Sequence, residues 1–172
     1  MQYRKFGNTG VQISALGFGA MRLPEVEEKD GTFRIDEEKA LAAINQAFEL
    51  GVNYIDTAYG YCHGNSETVV GKALKGWRDR VYLSTKMPTW MVKKTSDYRR
   101  LLEEQLKRLD VDFIDFYHFH ALSRERFDNI VLKHNLLDEA QKAKDEGLVK
   151  HISFSLYYLS VSVSSSSIRS IS

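Results

Sequence analysis

The sequence predicts an α/β fold in which a parallel sheet is covered by helices, and three observations predict it. Apolar runs that read as strands alternate with amphipathic stretches that read as helices, at intervals of about 30 residues. The strand runs are apolar on both faces, as parallel strands enclosed on two sides must be. Crossovers between parallel strands turn one way, so successive units either wind an open sheet or curl toward a barrel. An open dinucleotide-binding sheet carries a third glycine at the start of the helix after its first strand, whereas Gly17-Phe18-Gly19 here leads to Arg22-Leu23-Pro24. That absence favours the barrel.

The elements follow in order. Gln2 to Phe6 and Gln12 to Ile13 flank the turn-rich Gly7-Asn8-Thr9-Gly10, which reads as a β-hairpin closing one end of the fold. Ile13 to Met21 reads as a buried strand, with glycines where the backbone passes close to something. A polar loop runs through Gly31; Asp36 then caps a helix whose Ala40, Ile44, Ala47 and Phe48 keep helical spacing, and Gly51 stops it. Asn53 to Ile55 ends a strand. Ser66 is expected to cap a second helix, with Val69, Val70, Ala73 and Leu74 on one face and Gly76 at its end. Val81 to Lys86 is the next strand. A helix from about Ser96 buries Tyr98, Leu101, Leu102, Leu106 and Leu109. Asp112 to His120 is a strand, Gln141 to Glu146 lies in a fourth helix stopped by Gly147, and Val149 to Phe154 is one more strand.

Composition narrows the function. The 172 residues are 43% apolar and 27% charged, the balance of one soluble domain. A net charge of +1, with no basic stretch interleaved with aromatics, gives nucleic acid or an anionic membrane nothing to bind, and neither is expected as a partner. Cys62 is the only cysteine, so a disulfide within these residues and a cysteine-rich metal site are both excluded, and a cytoplasmic location is expected. The amino-terminal residues lack the apolar core of a signal peptide, and no run of about 18 apolar residues occurs.

The polar residues at strand ends carry the chemistry. Asp56, Lys86 and His120 each end a different expected strand and Tyr61 lies in the loop after Asp56, so the four converge on the face where parallel α/β folds bind ligands. Taken singly, Asp56 reads as a turn cap, Tyr61 as loop packing and His120 as a satisfied histidine. A lysine at the end of a buried strand needs a carboxylate, and Asp56 is the candidate partner. A phenol is a poor proton donor at neutral pH, but an adjacent ammonium stabilises its anion and brings it toward the working range. Cys62 has no activating neighbour and reads as an idle thiol, while Trp90 is expected to line the mouth.

At these residues the chain resembles the aldo-keto reductases. Asp56-Thr57-Ala58 with Tyr61 five residues on, Ser84-Thr85-Lys86, and Asp115-Phe116-Tyr117-His118-Phe119-His120 look like three successive motifs of that family, in its order; Gly7-Asn8-Thr9-Gly10 and Leu16-Gly17-Phe18-Gly19 look like its hairpin and first strand. The resemblance implies a (β/α)8 barrel of the TIM type, of which residues 1–155 supply the hairpin, four strand-helix units and the fifth strand. It also implies Tyr61 as general acid, Lys86 as its activator, Asp56 as the residue holding Lys86, and His120 as the one orienting a substrate carbonyl. The implied reaction is reduction of a small-molecule aldehyde or ketone by NADPH, with NADH the alternative. Gly19, Ala20, Met21, Asp56 and Ser155 would lie against the nicotinamide ribose and carboxamide, though Leu156 follows Ser155 where the family often has Asn. The hairpin and His151 to Ser155 look most like bacterial members that carry a C-terminal iron-sulfur module, so such a cluster is implied only together with that module.

From Leu156 to Ser172 the pattern changes: eight of seventeen residues are serine and only Arg169 is charged. This tail matches nothing in the family. The family's phosphate- and adenosine-binding elements follow its later strands, so residues 1–172 alone are expected not to turn over. A truncated or non-catalytic homologue that binds nucleotide is the alternative function.

Overall fold

The computed structural model of the protein describes residues 1–156. Of the serine-rich tail only Leu156 falls among them; the rest lies outside the described residues.

Strands β1 (Tyr3–Lys5) and β2 (Gln12–Ser14) form the expected antiparallel hairpin. It closes the amino-terminal end of the sheet. The Ser14 amide donates to the Asn53 side chain across 2.7 Å, and the Phe6 ring packs edge-on against Phe116 at 5.0 Å. The long strand expected over Ile13 to Met21 is only the pair β3 (Phe18–Gly19), because Ser14 Oγ donates to Leu16 O and bends the chain between the hairpin and the sheet. The loop expected through Gly31 contains a second small hairpin, β4 (Glu25–Glu27) with β5 (Phe33–Ile35), turned at Gly31 with φ +80°.

Helix α1 (Glu37–Glu49) is capped as the sequence predicts: Asp36 accepts from the Lys39 amide, and Gly51, with φ +91°, takes the left-handed conformation beyond its last turn. It leads into β6 (Tyr54–Asp56), and the chain continues through α2 (Ser66–Leu74), β7 (Tyr82–Met87), α3 (Asp97–Leu109) and β8 (Ile114–Leu122). After the single turn α4 (Arg124–Arg126) and a π-helical stretch, Phe127–Leu132, comes α5 (Leu136–Asp145) and then β9 (Val149–Leu156). Ser66 does not cap α2. Asn65 holds the cap position, and the Ser66 hydroxyl turns inward to donate to Ala20 O at 2.8 Å.

The main sheet has the order β3-β6-β7-β8-β9, every pair parallel, with Ile55 opposite Leu83, Ser84 opposite Phe116 and Tyr117 opposite Ile152. Spatial order equals sequence order. An open doubly wound sheet reverses its order at a switch point; an arc of a barrel does not. The aliphatic core lies between the sheet and the helices, where Ile44, Val70, Leu74, Leu83, Leu101, Leu102, Leu109 and Leu136 are almost wholly excluded from water. Helices α2 and α3 approach so closely at Gly71 that a Cβ there would stand 2.3 Å from Leu109 O. The strands are not uniformly apolar as expected. Register and the two-residue strand period put Tyr54, Asp56, Tyr82, Ser84, Lys86, Phe116, His118 and His120 on the face away from the helices.

Candidate active site

Strand β6 ends at Asp56, β7 carries Lys86 one residue before its end, and β8 carries His120 near its end, so parallel pairing places all three at the carboxyl edge of the sheet. Tyr61 reaches the same edge from the loop after β6. There Gly60 precedes a single 3₁₀ turn, and Cys62 and His63 take left-handed backbone angles, φ +48° and +56°. Such angles are uncommon outside glycine. They return the chain to the start of α2 within a few residues and leave the Tyr61 ring over the strand ends.

The three protons of the Lys86 ammonium are all engaged. Nζ donates to Asp56 Oδ2 at 2.5 Å, to Thr57 O at 2.8 Å and to the Tyr61 hydroxyl at 3.1 Å. Lys86 is 8% exposed. A charge so enclosed is retained only with such partners.

The His120 and Tyr61 rings meet edge to face, with centroids 6.0 Å apart, and the Trp90 ring lies tilted against His120 at 5.2 Å. Burial first, and then the Lys86 charge, press its imidazole down to about 4, so it is neutral at physiological pH. Its Nδ1 is buried without a hydrogen-bond partner among the described residues.

The residues expected at a cofactor lie on the same edge in differing states. Gly19 has open space where a Cβ would stand, and Met21 is 56% exposed. Ala20 is fully buried, and its amide donates to Asp56 O at 2.8 Å while its carbonyl accepts from Ser66. Ser155 Oγ accepts from the Ala121 amide at 2.8 Å, which leaves its own hydroxyl proton to donate. The His120 Nδ1 and the Ser155 hydroxyl proton, both without a partner among the described residues, and the unfilled space at Gly19 together fit a polar planar ring with a carboxamide. No group of three or more metal-liganding side chains occurs among the described residues, and none of their helices is long and apolar enough to cross a membrane.

Two sets of residues beside the site went unassigned in the sequence reading. On the face of His120, Ser84 Oγ is 2.8 Å from Asp56 Oδ1 and 2.7 Å from His118 Nε2, and His118 Nδ1 meets Ser153 Oγ. On the helix side, fully buried Glu67 accepts from Thr85 Oγ1 at 2.7 Å and from Gln105, whose amide also donates to Lys86 O at 3.2 Å. Ser84, Thr85 and His118 sit in motifs visible in the sequence, whereas Glu67 and Gln105 lie on helices α2 and α3 with no local signal of their role. Counting by twos from Lys86 and His120 would have placed Ser84 and His118 beside Asp56.

A parallel arc with its polar cluster on the carboxyl edge defines a partial (β/α)8 barrel with a ligand-binding face. The comparisons place it further. The sequence profile described as "Aldo/keto reductase family" matches residues 15–166, and the chain belongs to that family. It is 33% identical over 160 residues to an L-galactose dehydrogenase of Arabidopsis thaliana, covering 88% of this chain and 47% of that protein. It is 34% identical to probable aldo-keto reductase 1 of Glycine max, covering 88% of this chain and 44% of that one. Among solved structures, the holo form of an aldo-keto reductase from Bacillus halodurans superposes with a TM-score of 0.75 at 29% identity, over 91% of this chain and 51% of that chain. An aldo/keto reductase of Klebsiella pneumoniae in complex with NADP and acetate does so with a TM-score of 0.68 at 28% identity, over 84% and 46%. The chain spans about half the length of the relatives it matches.

Proposed function

We propose that this chain carries the catalytic tetrad of an NADPH-dependent reductase of small aldehydes or ketones. The observation that carries the reading is the seat of Lys86, whose one ammonium donates at once to the Asp56 carboxylate and to the Tyr61 hydroxyl. Because the Tyr61 oxygen accepts from Lys86, its own proton remains to be given to a carbonyl oxygen above it. Lys86 then stabilises the phenolate left behind, and Asp56 holds Lys86 in place. The neutral His120 has no excess proton to give at pH 7, which assigns it to orientation of the carbonyl and leaves Tyr61 as the acid. Gly19, Met21 and Ser155 would hold the nicotinamide end of the dinucleotide, which when bound supplies the hydride. The NADP complex of the Klebsiella relative supports NADPH over NADH.

Tyr61→Phe is the test, made in the protein expressed from its complete coding sequence. NADPH binding should persist by calorimetry while aldehyde-dependent NADPH oxidation falls by about 10²–10⁴-fold, the usual contribution of a positioned acid. Turnover retained in that variant would remove Tyr61 from the role. Binding without reduction of any carbonyl by the unaltered protein would favour a nucleotide-binding homologue.

A further inference from the structure

Ser84, His118 and Asp56 are the residue types of a nucleophilic triad, but they are wired differently. In a triad the carboxylate orients the imidazole and leaves the serine oxygen exposed to substrate. Here the carboxylate meets the serine, and Ser84 is fully buried. The direction of each hydrogen bond then follows from the last. Asp56 is ionised against the Lys86 ammonium and only accepts, so the Ser84 hydroxyl spends its single proton on Oδ1. Toward His118 Nε2 the same oxygen accepts, which puts the ring proton on Nε2. Burial disfavours the imidazolium of His118, so its Nδ1 offers a lone pair, and the Ser153 hydroxyl donates to it. One polarised chain thus crosses four adjacent strands, from Ser153 on β9 through His118 and Ser84 to Asp56 on β6. The charged groups facing His118 are Asp56 and Lys86, and His120 lies beside it on β8.

The opposite tautomer would break this chain. With the proton on Nδ1, Nε2 would draw the Ser84 proton to itself, and Asp56 Oδ1 would lose its donor. We propose that His118 is a positioning residue, protonated on Nε2 because the Ser84 oxygen facing it can only accept, that fixes the Ser84 hydroxyl on Asp56 and through Asp56 the seat of Lys86 beneath Tyr61. Its consequence for turnover rests on the reductase reading above; its hydrogen-bond direction does not.

Two measurements test it on the protein expressed from its complete coding sequence. Proton–nitrogen correlation spectra of ring-labelled histidine, taken from about pH 5 to pH 8, should show His118 neutral with the proton on Nε2, and Ser84→Ala, which removes the acceptor at Nε2 and leaves Ser153 Oγ able to accept from Nδ1, should admit the Nδ1-protonated form. An imidazolium at neutral pH, or the Nδ1 proton in the unaltered protein, would overturn the proposal whatever the protein catalyses. In the second measurement His118→Leu should lower kcat for carbonyl reduction about tenfold with KM for NADPH unchanged, as expected when one orienting hydrogen bond is lost. His118→Gln, whose amide can still donate to Ser84, should recover most of that loss. Full kcat in His118→Leu would refute the positioning role. An unaltered protein with the expected tautomer but no reductase activity would refute the reductase reading alone.

Discussion

The Lys86 ammonium and the Tyr61 hydroxyl stand 3.1 Å apart with the lysine as donor, so the phenol keeps its own proton. The other two ammonium protons go to Asp56 and to the Thr57 carbonyl, and no donor is left over. Lys86→Met keeps the stem of the side chain and removes all three bonds. On the proposed reading it should lower carbonyl reduction by about 10²–10⁴-fold, because the phenolate left by proton donation would lose its stabilising charge. Lys86→Arg should not restore activity, since a planar guanidinium cannot reach three acceptors arranged around one ammonium. Steady-state kcat/KM for each variant checks this, and an arginine variant within tenfold of the parent would show that charge alone suffices.

The strand order and the meeting of Asp56, Tyr61, Lys86 and His120 at one sheet edge are legible because each rests on a local signal that tertiary packing reinforces. Helical spacing from Ala40 to Phe48, the Asp36 cap and Gly51 agree with one another, and α1 forms where they say. Asp56, Lys86 and His120 were found because each is a polar residue ending an apolar run. Ser66 misled because a serine before an apolar helical stretch usually caps it, whereas here Ala20 O lies within 2.8 Å and takes its hydroxyl proton. The β4–β5 hairpin is hidden because its strands are only three residues each: Glu25-Val26-Glu27 and Phe33-Arg34-Ile35 alternate, but over too short a run to stand out from the polar loop. Ser84 and His118 were passed over for another reason. Ser84 only follows an apolar run and His118 sits between aromatic residues, and neither stands out until the two-residue period is applied from a residue already placed in the site.

Gly71 lies inside α2, where glycine ordinarily costs stability relative to alanine. Here the gain from alanine is outweighed. Its Cβ would meet the Leu109 carbonyl at 2.3 Å, and backbone, unlike the end of a side chain, cannot turn aside. Gly71→Ala should therefore destabilise the fold by about 1–3 kcal/mol, the usual penalty of overpacking. Urea unfolding gives the number, and a variant as stable as the parent would mean that α2 and α3 separate at little expense.

Glu67 supports the strand that carries Lys86 from the helix side. Its Oε1 accepts from Thr85 and Gln105, and Arg108 stands 3.6 Å from Oε2, which has no hydrogen bond among the described residues. Glu67→Leu would leave Thr85 and the Gln105 amide short of an acceptor inside the protein. A loss of about 1–3 kcal/mol is expected for buried donors left unpaired. A double-mutant cycle with Gln105→Leu should show that the two losses do not add, since the second substitution removes one of the stranded donors. Strict additivity would show that the two side chains act independently.

The histidines set how stability responds to acid. In the folded protein burial and the Lys86 charge hold His120 at about 4, against an ordinary value of 6.5. Between those values the unfolded chain takes up a proton that the folded chain refuses, so stability is fully present above about pH 6.5 and is lost as pH falls toward about 4. His118 and His151 are displaced in the same direction, in each case chiefly by burial. Glu67 has the opposite sign. Burial raises its carboxyl, so the folded protein keeps a proton that the unfolded chain has released, and its contribution declines as pH rises above the ordinary glutamate value of 4.5. Asp97, lowered mainly by the Lys93 amide, gives its full contribution above its ordinary 3.8 and loses it only as pH falls below that value. Across the window from about pH 4.5 to 6.5, three histidines oppose one carboxyl, and the urea midpoint should rise with pH. His120→Phe preserves an aromatic ring against Trp90 and Tyr61 but cannot take a proton, so its midpoint should rise less steeply with the same urea m-value. Parallel midpoint curves for the parent and the variant would show that the His120 imidazole titrates in the folded protein as it does in the unfolded chain.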